Sequence, residues 1–332
     1  MLTGPSTPAE RLASKRLDAA RSWAAGVLGL PSVALNPVSG DASFRRYFRL
    51  LTQNGSLILM DAPPQQENMA SFVDIDARLL QSGLRAPRIL HCDLQQGFGL
   101  LEDFGDRLYR EVLNTDTAGA FFPGLLELLA RMASNTDCSG LPRYDDARLQ
   151  AELDLFTEWY LARHRQKTLG VPEVACWQSL CHELKRSAAA QPQVFVHRDF
   201  HSCNLLYQEG QAAGIIDFQD AVQGPVSYDF VSLLWDRYIS WPRSQLEQWM
   251  ETFRLMLELE MEPAAWVRYC DLMGLQRNLK IVGIFSRLHC RDGKAGYLEM
   301  IPRFYRYLLD VLPRYPEFTD CHALLEQPEC AP

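Results

Sequence analysis

The segment from Val194 to Asn204 reads Val-Phe-Val-His-Arg-Asp-Phe-His-Ser-Cys-Asn, and the segment from Ile215 to Phe218 reads Ile-Ile-Asp-Phe. Each segment opens on a short apolar run that is typical of a buried strand, and turn-rich sequence separates the two runs. Polar side chains follow at once: Asp199 and Asn204 after the first run, and Asp217 after the second. We therefore predict a small β insertion that presents these three side chains together.

The spacing of these residues indicates a particular chemistry. His-Arg-Asp followed by four residues and Asn is the spacing of a kinase catalytic loop, and Asp217 comes 13 residues after Asn204. Phosphoryl transfer needs a carboxylate that orients the acceptor hydroxyl and takes its proton, which we assign to Asp199 as the catalytic base. Mg²⁺ prefers oxygen ligands, so Asn204 and Asp217 are the predicted metal ligands. The predicted cofactors are ATP and Mg²⁺.

The N-terminal third of the chain is rich in strand patterns. A helix is predicted from the Thr7-Pro8 start signal to about Leu28, and Asn54-Gly55 between two apolar runs predicts a hairpin. The predicted strands are 32–37, 44–51, 57–61, 88–92 and 98–102, with a helix at 66–81 before the last two. Beyond this part, apolar residues at helical spacing predict helices at 121–132, 149–161, 177–188, 246–259 and 266–288.

These elements predict an α+β fold with two lobes. The first, residues 1–102, would be a nucleotide-binding lobe with an antiparallel sheet and a helix, and the second, residues 103–332, a larger, mainly helical catalytic and substrate-binding lobe. The length of 332 residues and the hydrophobic fraction of 47% are sufficient for such cores.

Composition excludes several classes of function. The net charge of −8 argues against general nucleic-acid binding. The apolar runs are too short to span a bilayer, and the N-terminus lacks the pattern of a signal peptide. Nine cysteines without a C-x-x-C pair are typical of thiols in a reducing compartment. We therefore expect a cytoplasmic protein without a membrane or nucleic-acid partner, and nothing indicates an obligate protein partner.

The run from Val196 to Asp229 strongly resembles the aminoglycoside phosphotransferase and choline kinase superfamily, a branch of the protein-kinase-like fold. The resemblance includes Gly-Pro-Val-Ser-Tyr-Asp at 224–229, where it implies that Asp229 caps the next helix or braces the catalytic loop. A eukaryotic-type protein kinase is disfavoured, because there is no G-x-G-x-x-G and Gln219 replaces the glycine of Asp-Phe-Gly.

Within that superfamily, three stretches look most like the bacterial anomeric sugar kinases of cell-wall recycling. They are Ser-Gly-Asp-Ala-Ser-Phe-Arg-Arg-Tyr-Phe-Arg at 39–49, Leu-Met-Asp-Ala-Pro-Pro at 59–64 and Leu-Leu-Glu-Asp-Phe-Gly at 100–105. This resemblance implies phosphorylation of N-acetylmuramate and N-acetylglucosamine at C1, so the expected partner is a small amino sugar. His201, two residues past the base, and Arg277, which could hold the muramate carboxylate, are candidate substrate-binding residues.

The nucleotide phosphates need donors that the sequence does not obviously supply. Kinases of this fold usually carry a lysine on the third strand, but the run 57–61 has none. Arg46 is our candidate, since it shares a strand face with Phe48 in period-two counting, although it could simply extend to solvent. Gly40 and Ser43 in the preceding turn could present further donors, or form an ordinary turn.

Two further assignments come from the order of elements in this fold. Glu102 and Phe104 fall where the fold hydrogen-bonds adenine through backbone atoms, and they are predicted to bind the cofactor in that way. Asp74 or Asp76, on the helix predicted at 66–81, is the candidate to replace the structural glutamate that this fold usually carries on that helix; the sequence does not choose between them.

Two alternatives to an anomeric sugar kinase remain open at this point. One is another small-molecule hydroxyl kinase of the same superfamily, of the aminoglycoside or choline type. The other is a pseudokinase that binds nucleotide without turnover, which the missing lysine favours and the intact Asp199, Asn204 and Asp217 oppose.

Overall fold

The computed structural model describes residues 8–38, 44–328 and 330–332. The chain divides into two compact units: unit 1 comprises Met1–Arg107 and Leu206–Gln219, and unit 2 comprises Leu108–Leu205 and Asp220–Pro332. The segment that carries Asp217 therefore belongs to unit 1, although it lies far along the chain. The predicted lobe boundary after residue 102 stays a prediction.

The helices and strands of the described residues are as follows. The strands are β1 (Asn36–Pro37), β2 (Arg46–Thr52), β3 (Gly55–Asp61), β4 (Ile89–Asp93), β5 (Phe98–Glu102), β6 (Gln193–Val196), β7 (Leu205–Leu206), β8 (Gly214–Ile215) and β9 (Val222–Pro225). The α-helices are α1 (Pro8–Leu28), α2 (Met69–Gln81), α3 (Tyr109–Val112), α4 (Ala118–Asn135), α5 (Asp146–Leu155), α6 (Val171–Ala189), α7 (Tyr228–Leu234), α8 (Arg243–Met256), α9 (Pro263–Asp292), α10 (Ile301–Val311) and α11 (Thr319–Leu325). A π-helix covers Phe156–His164, and 3-10 turns cover Ala295–Met300, Leu312–Arg314 and Pro316–Phe318.

The predicted α+β class is confirmed. A five-stranded antiparallel sheet of order β1-β2-β3-β5-β4 lies in the N-terminal region, and helices dominate the C-terminal part. Each predicted helix is present with bounds shifted by a few residues, and the Thr7 start signal lies outside the described residues. Strand β9 was not predicted, because Val-Gln-Gly-Pro has neither alternation nor strong strand propensity.

The hairpin predicted at Asn54-Gly55 joins β2 and β3. Thr52 pairs with Gly55, so two residues form the loop. Gly55 has a φ of +120°, which glycine adopts at little cost because it has no Cβ. The hairpin fixes the register of β2 against β3, and thereby decides which side chains share a face of the sheet.

One face of this sheet, here called the α1 face, packs against the first helix. The register puts Phe48, Leu59 and Leu100 in one row across β2, β3 and β5. All three are buried in a core that also contains Ala20 and Ala24 of α1.

The opposite face, here called the α2 face, contains the adjacent row Tyr47, Met60 and Gly99. A Cβ on Gly99 would lie 2.9 Å from Cε of Met69, so this side of the sheet meets the first turn of α2. Asn68 begins that helix by accepting a hydrogen bond from the backbone N–H of Ser71.

Unit 2 is built around α9, which packs against α5, α6, α7, α8 and α10. Gly283 of α9 lies so close to α5 that a Cβ there would be 2.5 Å from the carbonyl carbon of Leu155. The helix predicted over 149–161 changes from α to π geometry just after this contact, at Phe156. Helix α9 also carries Arg277 into the interior of unit 2.

The side chains of Cys176 of α6 and Cys321 of α11 lie next to each other, with Cα atoms 6.0 Å apart. The expectation of thiols in a reducing compartment stays a prediction. The sequence could not pair two cysteines that are 145 residues apart.

Candidate active site

The loop between β6 and β7 carries the predicted base. Strand β6 pairs antiparallel with β9 and ends at Val196, so His197 opens the loop. Arg198 has a φ of +75°, which for a residue other than glycine costs about 1–3 kcal/mol. The backbone N–H groups of His197 and Arg198 donate to the carboxylate of Asp229 at 2.6 and 3.0 Å. Asp229 therefore braces the loop, in one of the two roles that the resemblance implied.

A second carboxylate, which sequence reasoning missed, holds the side chain of Arg198. Nη2 of Arg198 lies 2.7 Å from Oε1 of Glu152 in α5, and Nζ of Lys280 in α9 lies 3.0 Å from the same oxygen. Burial would raise the pKa of Glu152, but the two cations outweigh it and lower that pKa to about 2. The sequence does contain a signal for Glu152: it is an acidic residue on the apolar helix face formed by Leu149 and Leu153.

The side chains of Asp199, Asn204 and His201 lie together in unit 2. Nδ2 of Asn204 donates to the carbonyl oxygen of Asp199 at 2.9 Å and to Oδ2 at 3.1 Å. Nε2 of His201 lies 2.9 Å from Oδ1. The Asp199 side chain is 47% exposed, whereas His201 is buried. Both carboxylate oxygens of Asp199 are thus fixed in place at an accessible position.

Three cations surround this carboxylate within unit 2. Partial desolvation would raise the pKa of Asp199, but His201, Arg237 and Arg277 reverse the effect and hold that pKa below its usual value. Burial would lower the pKa of His201, but the ion pair with Asp199 raises it to about 9. Asp199 is therefore ionised at neutral pH.

Arg277 is only 4% exposed, and its Nη1 donates to the carbonyl oxygen of Trp235 at 3.3 Å. Nη2 of Arg237 lies 3.0 Å from Nε2 of His201. Sequence reasoning missed Arg237, which has no distinguishing motif. The two guanidinium groups make this part of unit 2 suitable for an anionic ligand.

Asp217 lies in unit 1, two residues after β8, with a φ of +63°. Nε2 of Gln219 donates to its Oδ1 at 3.0 Å. The ring of Phe218 stacks on Phe72 of α2 with 4.8 Å between centroids, and the hydroxyl of Ser71 donates to the carbonyl oxygen of Gln219 at 3.1 Å. Helix α2 thus holds the strained backbone around this carboxylate.

The predicted phosphate donors have different positions. Gly40 and Ser43 lie outside the described residues. Arg46 lies on the α1 face, and its Nη2 is 2.6 Å from Oδ2 of Asp61, whose side chain is fully buried. Its guanidinium carbon is also 5.7 Å from the ring centre of Phe48, as expected if the two share a strand face. The phosphate role of Arg46 stays a prediction.

Glu102 ends β5, and its backbone N–H donates to the carbonyl oxygen of Arg88 at 2.9 Å. Phe104 is buried in unit 1, where a Cβ on Gly214 would come within 2.5 Å of its ring. Arg85 covers the same ring at 4.2 Å. The Phe104 side chain thus has a packing role, and the contact of both backbones with adenine stays a prediction.

The structure distinguishes the two acidic residues of α2. Asp74 is exposed and pairs with Arg78 at 2.9 Å. Asp76 is 3% exposed, and burial raises its pKa to about 7. Asp76 is therefore the buried acid, and none of the described residues pairs with it as a compensating cation.

A family model described as "Phosphotransferase enzyme family" matches residues 34–266. The chain belongs to this family. Among its relatives, N-acetylmuramate/N-acetylglucosamine kinase of Pseudomonas aeruginosa is 42% identical over 301 residues, covering 89% of each chain. The kinase of the same name from Neisseria meningitidis is 35% identical and covers 92% of this phosphotransferase and 93% of its own length.

Solved structures share the fold of this phosphotransferase. A choline/ethanolamine kinase family protein from Mesorhizobium loti matches with a TM-score of 0.59 at 19% identity, over 95% of this chain and 96% of its own. A thermostable mutant of an aminoglycoside phosphotransferase matches with a TM-score of 0.59 at 16% identity, over 87% of this chain and 98% of its own. The predicted superfamily, fold and kinase activity are confirmed.

No helix in the described part of the chain is long and apolar enough to cross a membrane.

Proposed function

We propose that this phosphotransferase transfers the γ-phosphoryl group of ATP to the anomeric C1 hydroxyl of N-acetylmuramate and N-acetylglucosamine, as a cytoplasmic step of peptidoglycan recycling. The observation that carries the proposal is the accessible Asp199 carboxylate, fixed by Asn204 and His201 on a braced loop. The names of relatives at 42% and 35% identity support the substrate.

The electrostatics of Asp199 suit an acidic acceptor. A carboxylate with a lowered pKa is a weak base, so its main contribution is to orient the hydroxyl and to take the proton late in the transfer. An anomeric hydroxyl is more acidic than an ordinary alcohol, so a weaker general base is sufficient to take its proton. The cations His201, Arg237 and Arg277 keep Asp199 ionised and ready to accept it.

The residues present fit Mg²⁺. Nδ2 of Asn204 is engaged by Asp199, which directs the amide oxygen away from that carboxylate, and Asp217 supplies a carboxylate that is partly accessible. Both are hard oxygen donors of the type that Mg²⁺ prefers. When bound, Mg²⁺ would neutralise charge on the β- and γ-phosphates. We assign Asn204 and Asp217 as its protein ligands.

Arg277 is our candidate for recognition of the muramate carboxylate. It is a buried cation, and among the described residues no carboxylate hydrogen-bonds to it. Asp199 interacts with it electrostatically without a hydrogen bond, and an arginine fork can bind a further carboxylate in two-point geometry. His201 pairs with Asp199 and is expected to contact the sugar.

Product analysis tests the proposal. Purified protein with ATP, Mg²⁺ and a mixture of N-acetyl sugars, aminoglycosides and choline should give sugar 1-phosphates by ³¹P and ¹H NMR. Phosphorylation of choline or an aminoglycoside alone would favour another kinase of the superfamily, and the absence of nucleotide consumption would favour a pseudokinase.

Arg277→Gln tests the sugar assignment. It should raise KM for N-acetylmuramate about 10- to 100-fold, the effect of one charge-assisted contact, and change KM for N-acetylglucosamine little. Arg277→Lys, which keeps the charge, should be intermediate. Equal effects on both sugars would contradict a carboxylate-binding role.

A further inference from the structure

Two adjacent arginines, Arg45 just before β2 and Arg46 at its first position, point to opposite faces of the sheet in unit 1. Arg46 belongs to the α1 face, where its register partner Asp61 accepts from it at 2.6 Å. The other oxygen of Asp61 lies 2.6 Å from Nε of Arg16 in α1. Arg46 and Arg16 therefore neutralise a fully buried carboxylate on this face.

Arg45 belongs to the α2 face. Its side chain is 5% exposed, and its Nη2 lies 2.8 Å from Oε2 of Glu67. Its guanidinium carbon lies 5.9 Å from the ring centre of Phe72 in α2. These contacts give the guanidinium a defined position.

Asp217 lies beside the same group of side chains. Phe72, which lies near Arg45, stacks on Phe218, the residue after Asp217. One ring of α2 thus lies near both the guanidinium of Arg45 and the residue next to the candidate metal ligand.

We infer that Arg45 is the cation of unit 1 that binds the nucleotide phosphates. The inference rests on the proposed function, in which Asp217 holds the Mg²⁺ that accompanies those phosphates. A triphosphate keeps negative charge after one Mg²⁺ has bound, so a further cation is needed on the side of Asp217.

Neighbouring positions do not supply that cation. The register partner of Tyr47 on β3 is Met60, which is fully buried and apolar, and β3 contains no lysine. Arg46 on the adjacent position of β2 faces the other side and is bound to Asp61. A guanidinium has five N–H donors, so Arg45 can keep Glu67 as an anchor and also bind a phosphate oxygen.

Calorimetric titration with Mg·ADP and, separately, with adenosine tests the inference without any sugar. Arg45→Gln should weaken Mg·ADP about 10- to 100-fold, as expected for the loss of charge-assisted hydrogen bonds, and leave the affinity for adenosine within about twofold. Arg45→Lys, which keeps the charge in a different shape, should be intermediate. The matched control is Arg16→Ala, which removes an ion-paired guanidinium from the α1 face and should leave both affinities unchanged.

The outcomes separate a phosphate contact from a structural role. If Arg45→Gln and Arg45→Lys lose ADP and adenosine equally, Arg45 only supports the fold and the inference is wrong. It is also overturned if Arg46→Ala weakens Mg·ADP selectively while both Arg45 variants bind normally. If the wild-type protein binds no Mg·ADP, the proposed function itself fails, and the inference with it.

Discussion

Asp229→Asn should disable the catalytic loop without touching either substrate. In the wild type, the Asp229 carboxylate accepts backbone hydrogen bonds from His197 at 2.6 Å and Arg198 at 3.0 Å. Asparagine has one carbonyl oxygen, and its amide group would face an N–H donor, so at least one bond is lost. Hydrogen bonds to a charged group contribute about 1.5–3 kcal/mol each.

That loss is comparable with the strain that the carboxylate offsets. Arg198 has a φ of +75°, which costs about 1–3 kcal/mol. Without one of the two bonds, the loop should leave this conformation for much of the time and move Asp199 from its productive position. We expect kcat to fall about 10- to 100-fold, because a loss of 1.4 kcal/mol changes a population about tenfold.

The assay is steady-state kinetics together with thermal unfolding, at about pH 8.5. Burial raises the pKa of Asp229 to about 7, so the wild-type carboxylate is ionised under these conditions. The control is Asp310→Asn on α10, an exposed aspartate of the same unit. The reasoning is refuted if Asp229→Asn keeps more than about half of the wild-type kcat.

Three further variants test the assigned roles. Asp199→Asn should lower kcat by about 10²–10⁴-fold while calorimetry finds ADP affinity unchanged, and a rate above about a third of wild type would exclude Asp199 as the base. Asp217→Ala should abolish Mg²⁺-dependent nucleotide binding and Asn204→Ala should weaken it less, whereas unchanged calorimetric affinity would contradict both metal assignments. Asp76→Asn should reduce the pH dependence of the free energy of unfolding. Because the folded pKa of about 7 lies above the unfolded value of 3.8, the wild-type free energy of unfolding falls by about 1.4 kcal/mol per pH unit as the pH rises between these two values. Urea midpoints at about pH 5 and 8 should thus differ less for Asp76→Asn than for wild type, and equal shifts would disprove an isolated buried acid.

The sequence by itself determined the fold class, the family and the core of the chemistry. Period-two alternation and the Asn54-Gly55 turn are local signals, so they predicted the sheet and its hairpin correctly. The loop from His197 to Asn204 is likewise a local pattern, and its Asp and Asn lie side by side because they are only five residues apart.

Only the tertiary structure decided which distant side chains support these residues. Glu152, Lys280 and Arg237 carry no motif that marks them, and packing around α9 brings Glu152 and Lys280 to the loop. For Asp229, the family resemblance left two roles open, and the structure selects the bracing of the loop. Only the structure decided the surroundings of the two arginines at the start of the strand, Arg45 and Arg46. Alternation showed that Arg45 and Arg46 face opposite sides, but not which side meets α2 and Asp217, because both faces of the sheet are covered by helices and neither is marked by the strand sequence alone.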